Sequence, residues 1–290
     1  MNDRNALKGR AGTPGREEVT RIFSVRGRRL SVTHRPGRRG RVPLLLCSGI
    51  GSGSVLFDPL LAELDPDRPV IRFDAPGVGA SPTPRVPYRY ATLAATVASV
   101  VGRLGYDRAD VLGISWGGGL AQQMALQHPR LTRKLVLVAT ATGSVMVPAK
   151  PRTLATMLTP RRHRDPGFAV SVAGDLYGGT ARTDPHGTVA ALHPEGSGSP
   201  SQRGYLYQLF AISGWTSLPL LPLIRRPVLV ISGDDDPLIP AVNATLMARL
   251  MPRAQLHLHP GGHLALLTDA AELAPVIETF LNGNGGTGTV

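Results

Sequence analysis

The pentapeptide Gly113-Ile114-Ser115-Trp116-Gly117 constrains this chain more than any other stretch. It fits G-x-S-x-G, a sharp turn from strand to helix that lifts a serine Oγ above the end of a sheet. Glycines flank such a turn because a Cβ there would crowd the neighbouring strand or helix. Both sides read as the turn requires. Asp110-Val111-Leu112 has the character of a short buried strand, and residues 117–127 read as a helix whose Leu120, Met124 and Leu126 give it an apolar side.

A serine hydroxyl is a poor nucleophile until a base takes its proton, and the base needs a third group to hold its tautomer. In α/β-hydrolases these follow in the order Ser, Asp or Glu, His. His263, in Gly261-Gly262-His263, is the one histidine of eight that follows the last strand within a glycine-rich loop. His257 and His259 alternate inside that strand and read as structural or exposed. The preceding strand, residues 227–233, ends in Asp234-Asp235-Asp236. Three adjacent aspartates cannot all be buried and ionised, because like charges raise one another's pKa. The spacing Gly-x-x-Asp from Gly233 selects Asp236, with Asp234 the next candidate.

The loop Ser48-Gly49-Ile50-Gly51-Ser52-Gly53 follows the first apolar run, residues 42–47. It is not a dinucleotide fingerprint: Ser54 stands where the third glycine belongs, and no acidic residue closes a second strand at the required distance. Its expected task is to aim a backbone N–H at an oxyanion, with Ile50 as donor beside Trp116. Asp74, opening the compact loop 74–81, is expected to hold loop amides rather than to catalyse.

The alternation of strands and helices gives an α/β class, an α/β-hydrolase fold with a mostly parallel sheet covered on both faces. Residues 19–25 and 30–34 read as a hairpin, 70–73 as a strand, 92–104 as a helix, 135–139 and 256–259 as strands, and 269–281 as the closing helix. Between residues 142 and 226 the alternation breaks: prolines recur and aromatics gather. This length reads as an inserted cap dividing the core into residues 17–141 and 227–281. Tyr177, Tyr205, Phe210 and Trp215, with many leucines nearby, are expected to line an apolar acyl cavity. Residues 183–204 are expected to be its most mobile part. A basic arm at 1–16 and a glycine-rich tail at 282–290 read as disordered.

The chain has 290 residues and a net charge of +12, but residues 1–41 carry +9 of it. The body is therefore near neutral, without the basic stripe or reading motif of a nucleic-acid binder. Adhesion of the arm to an anionic surface fits the charge better. No apolar run is long enough to span a membrane, and no apolar h-region follows the basic N-terminus. Cys47 is the single cysteine, so no internal disulfide can form, which is compatible with a reducing cytoplasm. No cofactor is required, and no His, Cys or carboxylate set has metal-ligand spacing.

Several stretches resemble the intracellular poly(3-hydroxyalkanoate) depolymerases that act on medium-chain-length polyesters. They are Phe73-Asp-Ala-Pro-Gly-Val-Gly-Ala-Ser-Pro-Thr-Pro-Arg85, Ser115-Trp-Gly-Gly-Gly-Leu-Ala-Gln-Gln123, Val145-Met-Val-Pro-Ala-Lys-Pro151, Tyr177-Gly-Gly179, Gly204-Tyr-Leu-Tyr-Gln-Leu-Phe210, Gly214-Trp-Thr-Ser217 and Gly233-Asp-Asp-Asp-Pro-Leu-Ile-Pro240. The resemblance implies a Ser115–Asp236–His263 triad, a hydrophobic 3-hydroxyacyl polyester as substrate, and work at cytoplasmic storage granules, with secretion left open. Residues 183–203 match poorly, as does the long basic arm. A small-ester or lactone hydrolase, or a cofactor-free haloperoxidase-like enzyme, would use the same scaffold. A non-enzymatic protein gripping granules through its arm is the remaining alternative.

Overall fold

A computed structural model describes residues 17–192 and 200–283. The arm at 1–16 and the tail beyond residue 283 lie outside the described residues, as do residues 193–199 of the stretch expected to be mobile. Of the rest of that stretch, Pro185–Leu192 and the residues from Gln202 on are helical.

Eight strands form one sheet in the order β1-β2-β4-β3-β5-β6-β7-β8. They are β1 (Val19–Val25), β2 (Arg28–Arg35), β3 (Leu44–Cys47), β4 (Val70–Phe73), β5 (Ala109–Ile114), β6 (Thr132–Val138), β7 (Val228–Gly233) and β8 (Ala254–His259). Every pair from β4 to β8 is parallel, and β2 joins both β1 and β4 antiparallel. The β1–β2 hairpin turns on Arg26 and Gly27, both at positive φ, the backbone a two-residue turn needs to match strand twist.

The helices are α1 (Asp58–Glu63), α2 (Tyr90–Arg103), α3 (Trp116–Gln127), α4 (Pro151–Met157), α5 (Pro166–Tyr177), α6 (Thr180–Thr183), α7 (Pro185–Leu192), α8 (Gln202–Ile212), α9 (Val242–Leu250), α10 (Ala265–Thr268) and α11 (Ala270–Asn282). The central strands are apolar on both faces because both are covered. Leu45, Val111, Leu135, Leu137 and Val230 face one core with α2, α3 and α9. Leu46, Leu112, Val136, Val138 and Ile231 face the other with α1 and α11. Each fully buried side chain of this kind contributes about 1.5–3 kcal/mol. At the lower rim the buried Arg68 grips Glu278 of α11 through Nε (3.0 Å) and Nη2 (2.5 Å).

Parallel order brings the ends of β3, β5, β7 and β8 to one edge, so the loops carrying Ile50, Ser115, Asp236 and His263 gather there. Helices α4 to α8 lie between β6 and β7 in sequence and lean over that edge.

Candidate active site

Ser115 sits between β5 and α3 at φ 54°, ψ −120°, a conformation that costs a non-glycine residue of order 1–3 kcal/mol. The surroundings impose it. A Cβ on Gly113 would lie 2.3 Å from the Gly117 carbonyl oxygen, and one on Gly117 would lie 2.0 Å from the Cys47 oxygen. These are backbone atoms and cannot swing away, so both motif glycines are required. The turn is tied to β6 and to the loop that follows it: Ser115 N donates to Val138 O (2.9 Å), and Thr140 Oγ1 donates to Ser115 O (2.7 Å).

The Asp236 and His263 side chains are 0% and 4% exposed. Asp236 Oδ1 accepts from the amides of Leu238 (2.9 Å) and Ile239 (2.8 Å), which leaves Oδ2 to meet His263 Nδ1 at 2.8 Å. A carboxylate at Nδ1 assigns the ring proton to that nitrogen and leaves Nε2 as the basic one. From below, Tyr177 O accepts from His263 N (2.7 Å), and the Tyr177 ring stacks on the imidazole at 6.3 Å and 16°. Ser115 and His263 line one cavity of about 30 Å³, together with Gly49, Ile50, Met157, Arg162, His163 and Tyr177. Among the described residues no hydrogen bond joins the Ser115 hydroxyl to His263. Such bonds are often long in an empty site and tighten when substrate binds.

Asp234 and Asp235 go elsewhere. Asp234 Oδ1 accepts from Gly261 N (3.2 Å), and Asp235 takes a fork from Arg182 (2.7 and 2.9 Å), whose hydrogen bond holds its carboxyl below the usual range. A second histidine–carboxylate pair, His259 Nε2 with Asp269 Oδ2 at 3.1 Å, does not line the cavity. Asp74 holds the amides of Ser54 (2.7 Å) and Ala80 (2.8 Å). Cys47 is fully buried, and burial pushes its thiol pKa up, away from a nucleophilic thiolate. Among the described residues no group of side chains could hold a metal ion.

Trp116 is the first residue of α3, where an amide lacks an intrahelical acceptor. Neither its N–H nor that of Ile50 donates to an acceptor among the described residues. The Ile50 loop is braced by Ser48 Oγ, which donates to Ser52 O (2.9 Å), and by Gln208 of α8, whose Oε1 accepts from Gly51 N (2.8 Å). Gln208 O also accepts from Trp116 Nε1 (2.8 Å). Sequence reasoning missed Gln208, although it lies inside the quoted stretch 204–210. A lone glutamine on a helix carries no spacing signal.

The aromatic expectation needs correction. Of Tyr177, Tyr205, Phe210 and Trp215, Tyr177 alone is among the residues lining the cavity. Tyr205 is buried behind it, donating to Met157 O (2.5 Å). Phe210 is 40% exposed beneath the Arg89 guanidinium, 3.8 Å from its ring centre. Trp215 packs edge-on against Tyr90 at 4.9 Å and donates to Gln123 Oε1 (2.8 Å). Tyr205 thus packs within the insertion, Trp215 on α2 and α3, and Phe210 at the surface, placements that composition cannot tell from a substrate pocket.

A family model for the alpha/beta hydrolase fold matches residues 42–270. A poly(3-hydroxyalkanoate) depolymerase of Ectopseudomonas oleovorans is 46% identical over 263 residues, 91% of this chain and 92% of that protein. Among solved structures, a hydrolase from Pseudomonas aeruginosa PA01 superposes with a TM-score of 0.77 at 25% identity, covering 91% of this chain and 98% of that one. An enol-lactonase from Burkholderia xenovorans LB400 reaches 0.78 at 22% identity over 91% of this chain and 100% of that one, a likeness of fold alone.

Proposed function

The chain belongs to the α/β-hydrolase family, and from that membership, its identity to a poly(3-hydroxyalkanoate) depolymerase and the site geometry we propose that it hydrolyses the ester bonds of such a polyester, of medium side-chain length, with Ser115 as nucleophile. One observation carries the reading. A serine forced to positive φ shares a small cavity with a histidine whose Nδ1 is held by a buried carboxylate.

In this reading the Ser115 hydroxyl attacks the ester carbonyl while His263 Nε2 accepts its proton. Asp236 orients the imidazole and stabilises its charge. The Ile50 and Trp116 amides receive the oxyanion, a donor pair of which each member is worth about 10²–10³ in rate. His263 protonates the departing alkoxide, and water then enters by the reverse route to free the acid. The helices between β6 and β7 act as the cap. The cavity, about 30 Å³, is small for a medium-chain acyl group, so in this reading the cap shifts to admit one. The same small volume favours the second reading, hydrolysis of small esters or lactones.

The proposed workplace is the cytoplasmic surface of storage granules, where an insoluble polyester presents its chains. No helix among the described residues is long and apolar enough to cross a membrane. Emulsions of a medium-chain and a short-chain polyhydroxyalkanoate separate the readings. Clearing of the medium-chain polymer, lost in Ser115→Ala, is expected. Hydrolysis of soluble nitrophenyl esters without clearing of either polymer would replace the polyester by a small ester.

A further inference from the structure

Arg162 lies at the cavity, on the short 3₁₀ turn Pro160–His163, yet it is only 3% exposed. A guanidinium withdrawn from water loses a large hydration energy, which a carboxylate partner ordinarily offsets. Arg68, the comparably buried arginine at the other end of the sheet, has such a partner in Glu278. Arg162 does not find one among the described residues. Its Nε donates to the Tyr177 hydroxyl (3.1 Å), and its Nη1 donates to the Tyr205 hydroxyl (2.9 Å) and Thr159 O (3.4 Å). All three acceptors are neutral. The outer nitrogen, Nη2, donates to none of the described residues. The Tyr205 ring, 5.4 Å from the guanidinium, adds a π face but no charge. The two tyrosines thus fix a planar cation at the wall of the cavity that holds Ser115 and His263. Planar, multidentate donors of this kind match carboxylates.

Resting on the polyester reading above, we propose that Arg162 recognises the free carboxylate at the end of a 3-hydroxyacyl chain, so that the enzyme works from that end. Interior units of a polyester are neutral; only the acid terminus carries a charge. In the terminal unit only four bonds separate the carboxyl carbon from the carbonyl carbon of the last ester, and Arg162 lines the same cavity as Ser115. Ser115 Oγ bonds to that carbonyl carbon, and the bond from it to the 3-oxygen of the terminal unit breaks. His263 passes the serine proton to that oxygen. The carboxylate therefore leaves with the departing 3-hydroxyacid, and water subsequently releases the shortened chain with a new carboxylate. Each round regenerates the group that Arg162 binds.

The test uses a soluble 3-acyloxyalkanoic acid and its methyl ester, a pair that differs only in the charge. The full-length wild type is expected to show kcat/KM about tenfold or more in favour of the acid, the range of a charge-assisted hydrogen bond. That ratio is expected to fall to near one in Arg162→Met and to an intermediate value in Arg162→Lys. A free 3-hydroxyalkanoate should inhibit the wild type competitively, and its methyl ester should inhibit at least about tenfold less well. This last comparison needs no variant and so does not depend on Arg162→Met folding. Equal wild-type rates and equal inhibition would overturn the proposal, as would an Arg162→Met enzyme slowed on both compounds with the ratio preserved, the signature of a structural brace. Polymer clearing, measured alongside, reports on the polyester reading separately: both soluble compounds contain a simple ester that any serine esterase of this geometry attacks.

Discussion

Two regions meet at the cavity, and they hold their residues in place by different means. At the ends of β3, β5, β7 and β8 the contacts are largely between backbones. Gly117 packs on the Cys47 carbonyl, Gly113 on the Gly117 carbonyl, and Asp236 on two amides of its own turn. The helices between β6 and β7 also meet this edge through backbone, as where Tyr177 O accepts from His263 N, but they add contacts through long side chains: Arg162 to two tyrosine hydroxyls, and Gln208 to the Gly51 amide. Backbone contacts of the first kind tolerate almost no change of residue. Side-chain contacts of the second kind can be made or broken as the helices move. In the proposed mechanism the chemistry sits on the first half, and the substrate enters past the side-chain contacts of the second.

Substitutions in the two halves should therefore differ in kind. The largest effect is expected from Ser115→Ala, a loss of about 10⁶ in kcat with an unchanged circular-dichroism spectrum and no fall in Tm. Asp236→Asn keeps the shape but supports the wrong imidazole tautomer, so a loss of about 10⁴ in kcat is expected. In the second half, Gln208→Ala removes the brace from the Ile50 loop without removing an oxyanion donor. It should cost about tenfold in kcat, short of the 10²–10³ of a lost donor. A loss as large as that of Asp236→Asn would erase the distinction between the halves.

Acid titration probes the first half from its far end. Burial raises the Glu278 pKa, but the hydrogen bond and charge of Arg68 outweigh it, so the carboxyl sits below its usual range. A depressed folded-state pKa gives stability that is present above the ordinary carboxylate value and is lost as pH falls through the depressed one. Tm should accordingly fall below pH of about 4, and Arg68→Met should blunt that part of the fall. The smallest effect belongs to Phe210→Ala. Its ring lies on the surface under Arg89, and kcat/KM should stay within about twofold, as for a surface position away from a functional contact.

The same contrast explains what could be read from the sequence. The elbow, the Gly-x-x-Asp spacing and the Gly-Gly-His loop are short, local and dictated by backbone geometry, so Ser115, Asp236 and His263 stood out from neighbours as similar as Asp234 and His259. The strands were legible for a related reason: a sheet covered on both faces demands continuous apolar runs such as Leu44–Cys47 and Val228–Gly233. The insertion offers no such rule. Its aromatics could pack against neighbouring helices or line a pocket with equal composition, and of the four singled out Tyr177 alone lines the cavity. Arg162 and Gln208 matter through partners 43 and 157 residues away, a pairing that only the folded chain displays.

The most direct test of the account is labelling of the wild-type enzyme with a fluorophosphonate ester, followed by mass spectrometry of its peptides. The prediction is a single stoichiometric adduct on Ser115, formed about 10³-fold or more slowly in His263→Ala, since an unassisted serine hydroxyl is a poor nucleophile. An adduct on another residue, or undiminished ester hydrolysis after Ser115 is fully labelled, would contradict it.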